Sequence, residues 1–240
     1  TYLVDQYTFP LGQEPQATSA ALSAGISALQ RLRMVTLAGD APALLAESTL
    51  TTGDLVSDLF VCRDGSLINL TMNRTTQISE TRRSYSLVYA QDIDGDGIIE
   101  LPCPEADSAA EQTDGFVAWM SWKSDGRFEQ SAKTYHCLSA GWYFTIPLSW
   151  WNWDVDALVT AISNENQMTL RINGDSVLSI YTITGENRDS RSRMGHRLVL
   201  RRQTTTVYAG EVFEIAPYYG MDEDLLRRSF NLILGTWNNS

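Results

Sequence analysis

Nine residues, Asp92-Ile93-Asp94-Gly95-Asp96-Gly97-Ile98-Ile99-Glu100, limit what this chain can be more than any other stretch. A hard cation needs roughly 6–8 oxygen ligands from a sharply turned loop. The run supplies carboxylates at its first, third, fifth and ninth positions, a glycine at the sixth for the turn, and the backbone carbonyl of Ile98 at the seventh. Aspartate and glycine also form turns without a metal, but three aspartates within five residues repel one another unless a cation sits among them. The residue types suit Ca2+, with Asp92, Asp94, Asp96, Ile98 and Glu100 as the candidate ligands. An EF-hand is excluded: its twelfth-position glutamate is replaced by Cys103, and Pro102 and Pro104 on either side forbid an exiting helix.

Leu87-Val88-Tyr89 enters the loop and Ile98-Ile99-Glu100-Leu101 leaves it, both as expected strands. A D-x-D-G-D-G-x-x-D/E loop between two strands resembles the FG-GAP, or integrin-type, β-propeller repeat, with Glu100 where aspartate is commoner. A weaker copy lies upstream. With Gly39-Asp40 set over Gly95-Asp96, Leu37 falls over Ile93, Met34 over Ala90 and Leu45 over Leu101. The turn Arg63-Asp64-Gly65 likewise falls in the place of Ser124-Asp125-Gly126, and Asp-Gly between apolar runs is a strong hairpin indication. Two four-stranded propeller-like blades are therefore expected, at about residues 28–80 and 84–137. The first has Thr36, Ala38 and Leu44 over Asp92, Asp94 and Glu100, so it is expected to hold no metal.

Two blades do not close a propeller. Further blades are expected upstream of Thr1, with Tyr2–Phe9 as the last strand of one of them, and the chain is read as a piece of a longer one. A short helix is expected within Ala17–Leu29, although Ser19, Ser23, Ser27 and Gly25 weaken it.

Beyond Cys137 the texture changes. Strands are expected at Gly141–Pro147, Val159–Ile162, Met168–Ile172, Val177–Ile183, Leu198–Leu200 and Thr206–Phe213. The polar Asn164-Glu165-Asn166 should turn a hairpin, and Glu186–Gly195 is a short helix or a loop. Leu226, Phe230, Ile233 and Trp237 share one face at helical spacing behind Asp222, Glu223 and Asp224, which predicts a terminal amphipathic helix. The fold class expected is mainly β with some α (α+β): partial propeller-like repeats over 1–137, then an α+β domain over 138–240. The GWYFTIPLSWW opening at Gly141 and the terminal helix make 138–240 similar to the C-terminal domain of secreted Firmicutes lipoproteins that carry FG-GAP or VCBS-like repeats upstream. That resemblance implies an extracellular, cell-surface protein of a Gram-positive bacterium, lipid-anchored upstream of Thr1, with protein or carbohydrate as partner.

Charge agrees with a cation-collecting surface and argues against nucleic acid: 29 acidic residues face 18 basic ones, a net charge of −11. No apolar run approaches the roughly 20 residues that span a bilayer. Cys62, Cys103 and Cys137 form no metal-ligand spacing; either three buried thiols or one disulfide and a free thiol is expected. Asn69-Leu70-Thr71 and Asn73-Arg74-Thr75 are glycosylation sequons, which matter only in a eukaryotic secretory pathway.

Catalysis finds little footing. There is no G-x-S-x-G, and of the histidines, His136 and His196, the first adjoins Cys137 and must face the other way in a strand. Trp150, Trp151 and Trp153, with Trp142 nearby, suit either a sugar-stacking platform or core packing. Arg188, Arg191, Arg193, Arg197, Arg201 and Arg202 suit an anion site or a solvated face. The reading is a non-catalytic calcium-binding module that recognises protein or glycan, or serves as a scaffold. Its alternative is a glycan-active hydrolase with its cleft at Trp150–Asp156 and Asp154 or Asp156 as acid–base carboxylates.

Overall fold

The computed structural model describes residues 2–84, 88–104, 114–123 and 127–233. Strands dominate and close no barrel, so the chain is mainly β. The described residues form two compact units, one within Thr1–Ala132 and one within Lys133–Leu234.

In the first unit β1 (Leu3–Thr8) and β2 (Gln16–Ala21) make an antiparallel hairpin. Two expectations are corrected here. Residues 17–29 are not a helix but β2 followed by the start of β3 (Ile26–Leu37); serine and glycine give the helix too little propensity to resist strand pairing. Tyr2–Phe9 does not wait for an upstream partner, because β1 pairs with β2 from Leu3↔Ala21 to Thr8↔Gln16.

β3, β4 (Ala41–Leu50), β5 (Leu55–Arg63) and β6 (Ser66–Asn69) form a four-stranded antiparallel meander, joined at Gly39-Asp40 and Asp64-Gly65 where turns were expected. Both faces of β4 and β5 are buried. Leu45 and Leu59 join Leu37, Ala43, Val61, Ala90, Ile99 and Leu101 in one apolar cluster, while Ala46 and Phe60 pack with Leu22 in another. Because β6 is short, part of β5 lacks a neighbouring strand. Side-chain hydroxyls take its place: Ser57 donates its N–H to Thr81 Oγ1, and its carbonyl accepts from Thr71, Ser79 and Thr81. Backbone groups buried in this way must be satisfied by something.

The strand expected to open the second blade is not formed by the residues described there. Leu87 lies outside the described residues, and Val88 and Tyr89 form no strand. The reason is local: the Val88 carbonyl accepts from Arg83 Nε (2.9 Å), Ala90 N–H goes to Glu47 Oε1 (2.8 Å) and the Ala90 carbonyl accepts from Arg33, so these groups have no ladder to offer. The meander instead begins with β7 (Glu100–Pro104) and continues through β8 (Asp114–Trp122), β9 (Phe128–Cys137) and β10 (Trp142–Thr145). The expected Ser124-Asp125-Gly126 turn lies outside the described residues. The sequence reading ends the repeats at Cys137, whereas Cys137 pairs with Trp142 across β9 and β10, and the two units divide within β9 between Ala132 and Lys133.

The second unit also holds β11 (Val155–Ile162), β12 (Glu165–Ile172), β13 (Asp175–Thr184), β14 (Leu198–Arg202) and β15 (Thr206–Val212), hydrogen-bonded in the order β11-β12-β13-β15-β14. The expected strands and the turn at Asn164 are all present. A short helix, α1 (Arg188–Arg191), sits in the polar segment. Helix α2 (Glu223–Ser229) is capped by Asp222, whose carboxylate accepts from Leu225 N–H at 2.7 Å. It packs on β15 at Gly210, where a Cβ would lie 2.7 Å from Leu226 Cδ2. The terminal helix is shorter than predicted. Phe230 leaves the helix and opens β16 (Phe230–Leu232), pairing with Phe144 of β10 and packing against Trp142 and Tyr208. Strand pairing and ring packing outweigh the helical spacing of Phe230 and Ile233; Trp237 lies outside the described residues.

Candidate metal centre

The loop from Asp92 to Glu100 is a hairpin closed by a bridge, with Gln91 and Glu100 exchanging N–H···O bonds of 3.1 and 2.9 Å. Ile99 fixes it to the first sheet: its N–H donates to the Thr36 carbonyl at 3.0 Å and its side chain joins Leu37, Leu45 and Leu59 in the core. At the open end, Asp92 organises the turn. Its Oδ1 accepts from Gly95 N–H (2.7 Å) and Asp96 N–H (3.0 Å), and its Oδ2 accepts from Gly97 N–H (2.8 Å). Gly95 and Gly97 have φ of 82° and 86°, a left-handed backbone that side chains disfavour, although a Cβ on either would meet nothing.

This turn brings ligand oxygens of Asp92, Asp94 and Glu100 within 4.8 Å of one another, and the three could hold a metal ion. That upper limit is compatible with oxygens sharing one cation at about 2.4 Å, whose opposite ligands lie about 4.8 Å apart. Asp92 and Asp94 are exposed, and Glu100 is 1% exposed. Glu100 Oε2 accepts from Ile93 N–H at 3.0 Å; no described donor reaches its other oxygen. Burial, reinforced by the charges of Asp94, Asp96 and Asp92, pushes the Glu100 carboxyl up to about 8. Burial and neighbouring Asp96 also raise Asp94. A cation would reverse both effects, because it favours the charged form. Each carboxylate oxygen has two lone pairs, so the turn bonds at Asp92 leave it able to ligate.

Of the two other candidates, Asp96 is not in this group of three, and Ile98 would offer its backbone carbonyl rather than a side chain. Asp96 Oδ1 accepts from Ile98 N–H at 2.8 Å, and half-buried Ile98 is held by that bond. The upstream copy is no loop at all, since the β3–β4 ladder runs on to Leu37↔Ala41 and leaves a tight link through Gly39-Asp40.

Among the tryptophans, Trp142 and Trp150 are core: their indole N–H groups donate to Thr182 Oγ1 (3.1 Å) and to the Tyr219 carbonyl (2.8 Å). Trp151 is half-buried, and Trp153 is 37% exposed, edge-on to Tyr219 beside the exposed Tyr218. Asp156 is held by Arg171 through two bonds of 2.7 Å. Arg191 and Arg197 pair with Glu165, Arg202 with Asp189, and Arg197 also covers the Tyr181 ring. His136 is fully buried and stacked on Tyr143, and burial pulls its imidazole down to about 3. No disulfide joins the three cysteines, and they are not all buried, since Cys62 is exposed. Asn69 is unsuited to glycosylation, because its amide donates to Ala21 and Asp58 and its sequon partner Thr71 is buried.

One feature escaped the sequence reading. Glu47 is wholly buried and accepts from Ser57 Oγ (3.0 Å), Arg83 Nη2 (3.2 Å) and Ala90 N–H (2.8 Å), so it ties Arg83 and Ala90 to the first sheet just before the Asp92–Glu100 loop. Burial lowers Arg83 against the opposing pull of Glu47. Across the sheet Asp58 accepts from Ser23 and Asn69, and burial raises its carboxyl. The available indication was a single acid inside each of two apolar strands, Ala43–Leu50 and Leu55–Val61.

No known protein family, curated protein or solved structure matches this chain. Among the described residues no helix is long and apolar enough to cross a membrane.

Proposed function

We propose that the chain is a non-catalytic, calcium-binding module of the cell surface, in which Ca2+ held by Asp92, Asp94 and Glu100 rigidifies the loop that leads into β7 of a propeller-like repeat. The observation that carries this reading is the buried Glu100 carboxylate converging with two aspartates. An ionised carboxylate in such a place is costly without a cation, and oxygen-only ligands suit calcium better than a softer metal. Calcium is abundant outside cells, which fits the extracellular, lipoprotein-like setting and a role in recognising protein or glycan. In the second unit, Trp153 and Tyr218 are exposed aromatic side chains on which a glycan could stack.

The test is thermal unfolding of the intact chain in chelator and in excess Ca2+. At a hundredfold excess over Kd a native-state ligand adds about 2.7 kcal/mol, a rise of roughly 5–10 °C for a chain of this size. An unchanged melting temperature would refute the calcium assignment. A glycan array with the intact protein and with Trp153→Ala tests recognition separately.

A further inference from the structure

A pocket of about 400 Å³ opens beside the β3–β4 turn, lined by Leu37, Pro42, Val61, Arg63, Trp122 and Lys123. Its size is that of a small-molecule site. Three observations give it a chemical character. Arg63 and Lys123 have no carboxylate within ion-pair distance among the described residues, in a chain where acids outnumber bases 29 to 18. The Trp122 indole N–H is buried with no acceptor among the described residues, a state that ordinarily costs stability. The floor is apolar and rigid: Leu37 and Val61 belong to the core cluster, and Trp122 packs on it with Phe128 at 5.7 Å.

We propose that this pocket binds a small organic anion with a flat apolar body, such as an aromatic carboxylate or sulfonate. The ring lies on Leu37, Pro42 and Val61, the anion is held by Arg63 and Lys123, and an acceptor on the ligand receives the Trp122 N–H. A second groove, of about 410 Å³ and lined by Tyr2, Leu3, Leu22, Ile26, Leu29 and Leu32, has a similar volume but no cation. It serves as the internal control, because a purely apolar ligand would use either.

The experiment titrates the intact chain with 1-anilinonaphthalene-8-sulfonate and with its uncharged counterpart N-phenyl-1-naphthylamine, following ligand fluorescence. Charge-assisted contacts of this kind set affinity to about a factor of ten or more. Arg63→Gln and Lys123→Gln should therefore each weaken the sulfonate about tenfold and leave the neutral dye unchanged, whereas Leu32→Asp should weaken only the neutral dye. Trp122→Phe, which keeps the ring and removes the N–H, should weaken the sulfonate severalfold. Should Trp122→Phe not fold, the two exposed-side charge variants decide the matter alone. Sulfonate binding that is unaffected by both charge variants, or that is abolished by Leu32→Asp, overturns the proposal.

Discussion

A carboxylate as deeply placed as Glu100 is stable only if its charge is answered, and the nearest described charges to it are three more carboxylates. Replacing Glu100 by glutamine keeps the shape and the acceptor for Ile93 N–H while removing the charge. In chelator, Glu100→Gln should melt at or above the wild-type temperature at pH 7, and Ca2+ should no longer raise it; a retained calcium response would remove Glu100 from the site. His136 makes the opposite kind of demand. Its folded-state value of about 3 lies below the ordinary 6.5, so the unfolded chain takes up a proton that the folded chain refuses. Stability contributed by the neutral ring is present above pH 6.5 and is lost as pH falls towards 3, by up to a few kcal/mol for this group. Urea unfolding at pH 7 and pH 4.5 should show that loss in wild type and a smaller one in His136→Phe.

At the level of elements, the first sheet is held as much by polar side chains as by its ladder. Arg83→Met would leave buried Glu47 without its nearer cation, with Arg31 at 3.9 Å as the remaining ion-pair partner, a change costing up to about 3–5 kcal/mol. Adding Glu47→Gln, which retains an acceptor for Ala90 N–H, should recover most of that loss in a urea titration. Helix α2 offers a separate check: Gly210→Ala drives a methyl into Leu226 and should cost about 1–3 kcal/mol, relieved by Leu226→Val. The strands were legible where apolar alternation was bounded by Asp-Gly, Asn or Pro, as at β5, β12 and β13. They were illegible where a side chain from elsewhere claimed the backbone, as at Val88 and Ala90, and where a partner strand converted a weak or helical pattern, as at Ala17–Ala21 and Phe230.

For the molecule as a whole, a net charge of −11 means that any divalent cation eases self-repulsion. The calcium response must therefore exceed that of an equal concentration of Mg2+, which accepts an irregular, partly carboxylate loop less readily. In wild type the Ca2+ shift should be the larger by several degrees, and in Glu100→Gln the two ions should act alike; equal shifts in wild type would assign the effect to bulk charge. By itself the sequence determined the loop chemistry, the predominance of strand and most hairpin positions, because turn formers and alternating apolar residues act over a few neighbours. Only the tertiary structure decided that Asp92, Asp94 and Glu100 meet while Asp96 turns to Ile98, that Glu47 and Arg83 find each other, and that Phe230 ends a helix. Those outcomes depend on burial and on partners distant along the chain, and local spacing carries no record of either.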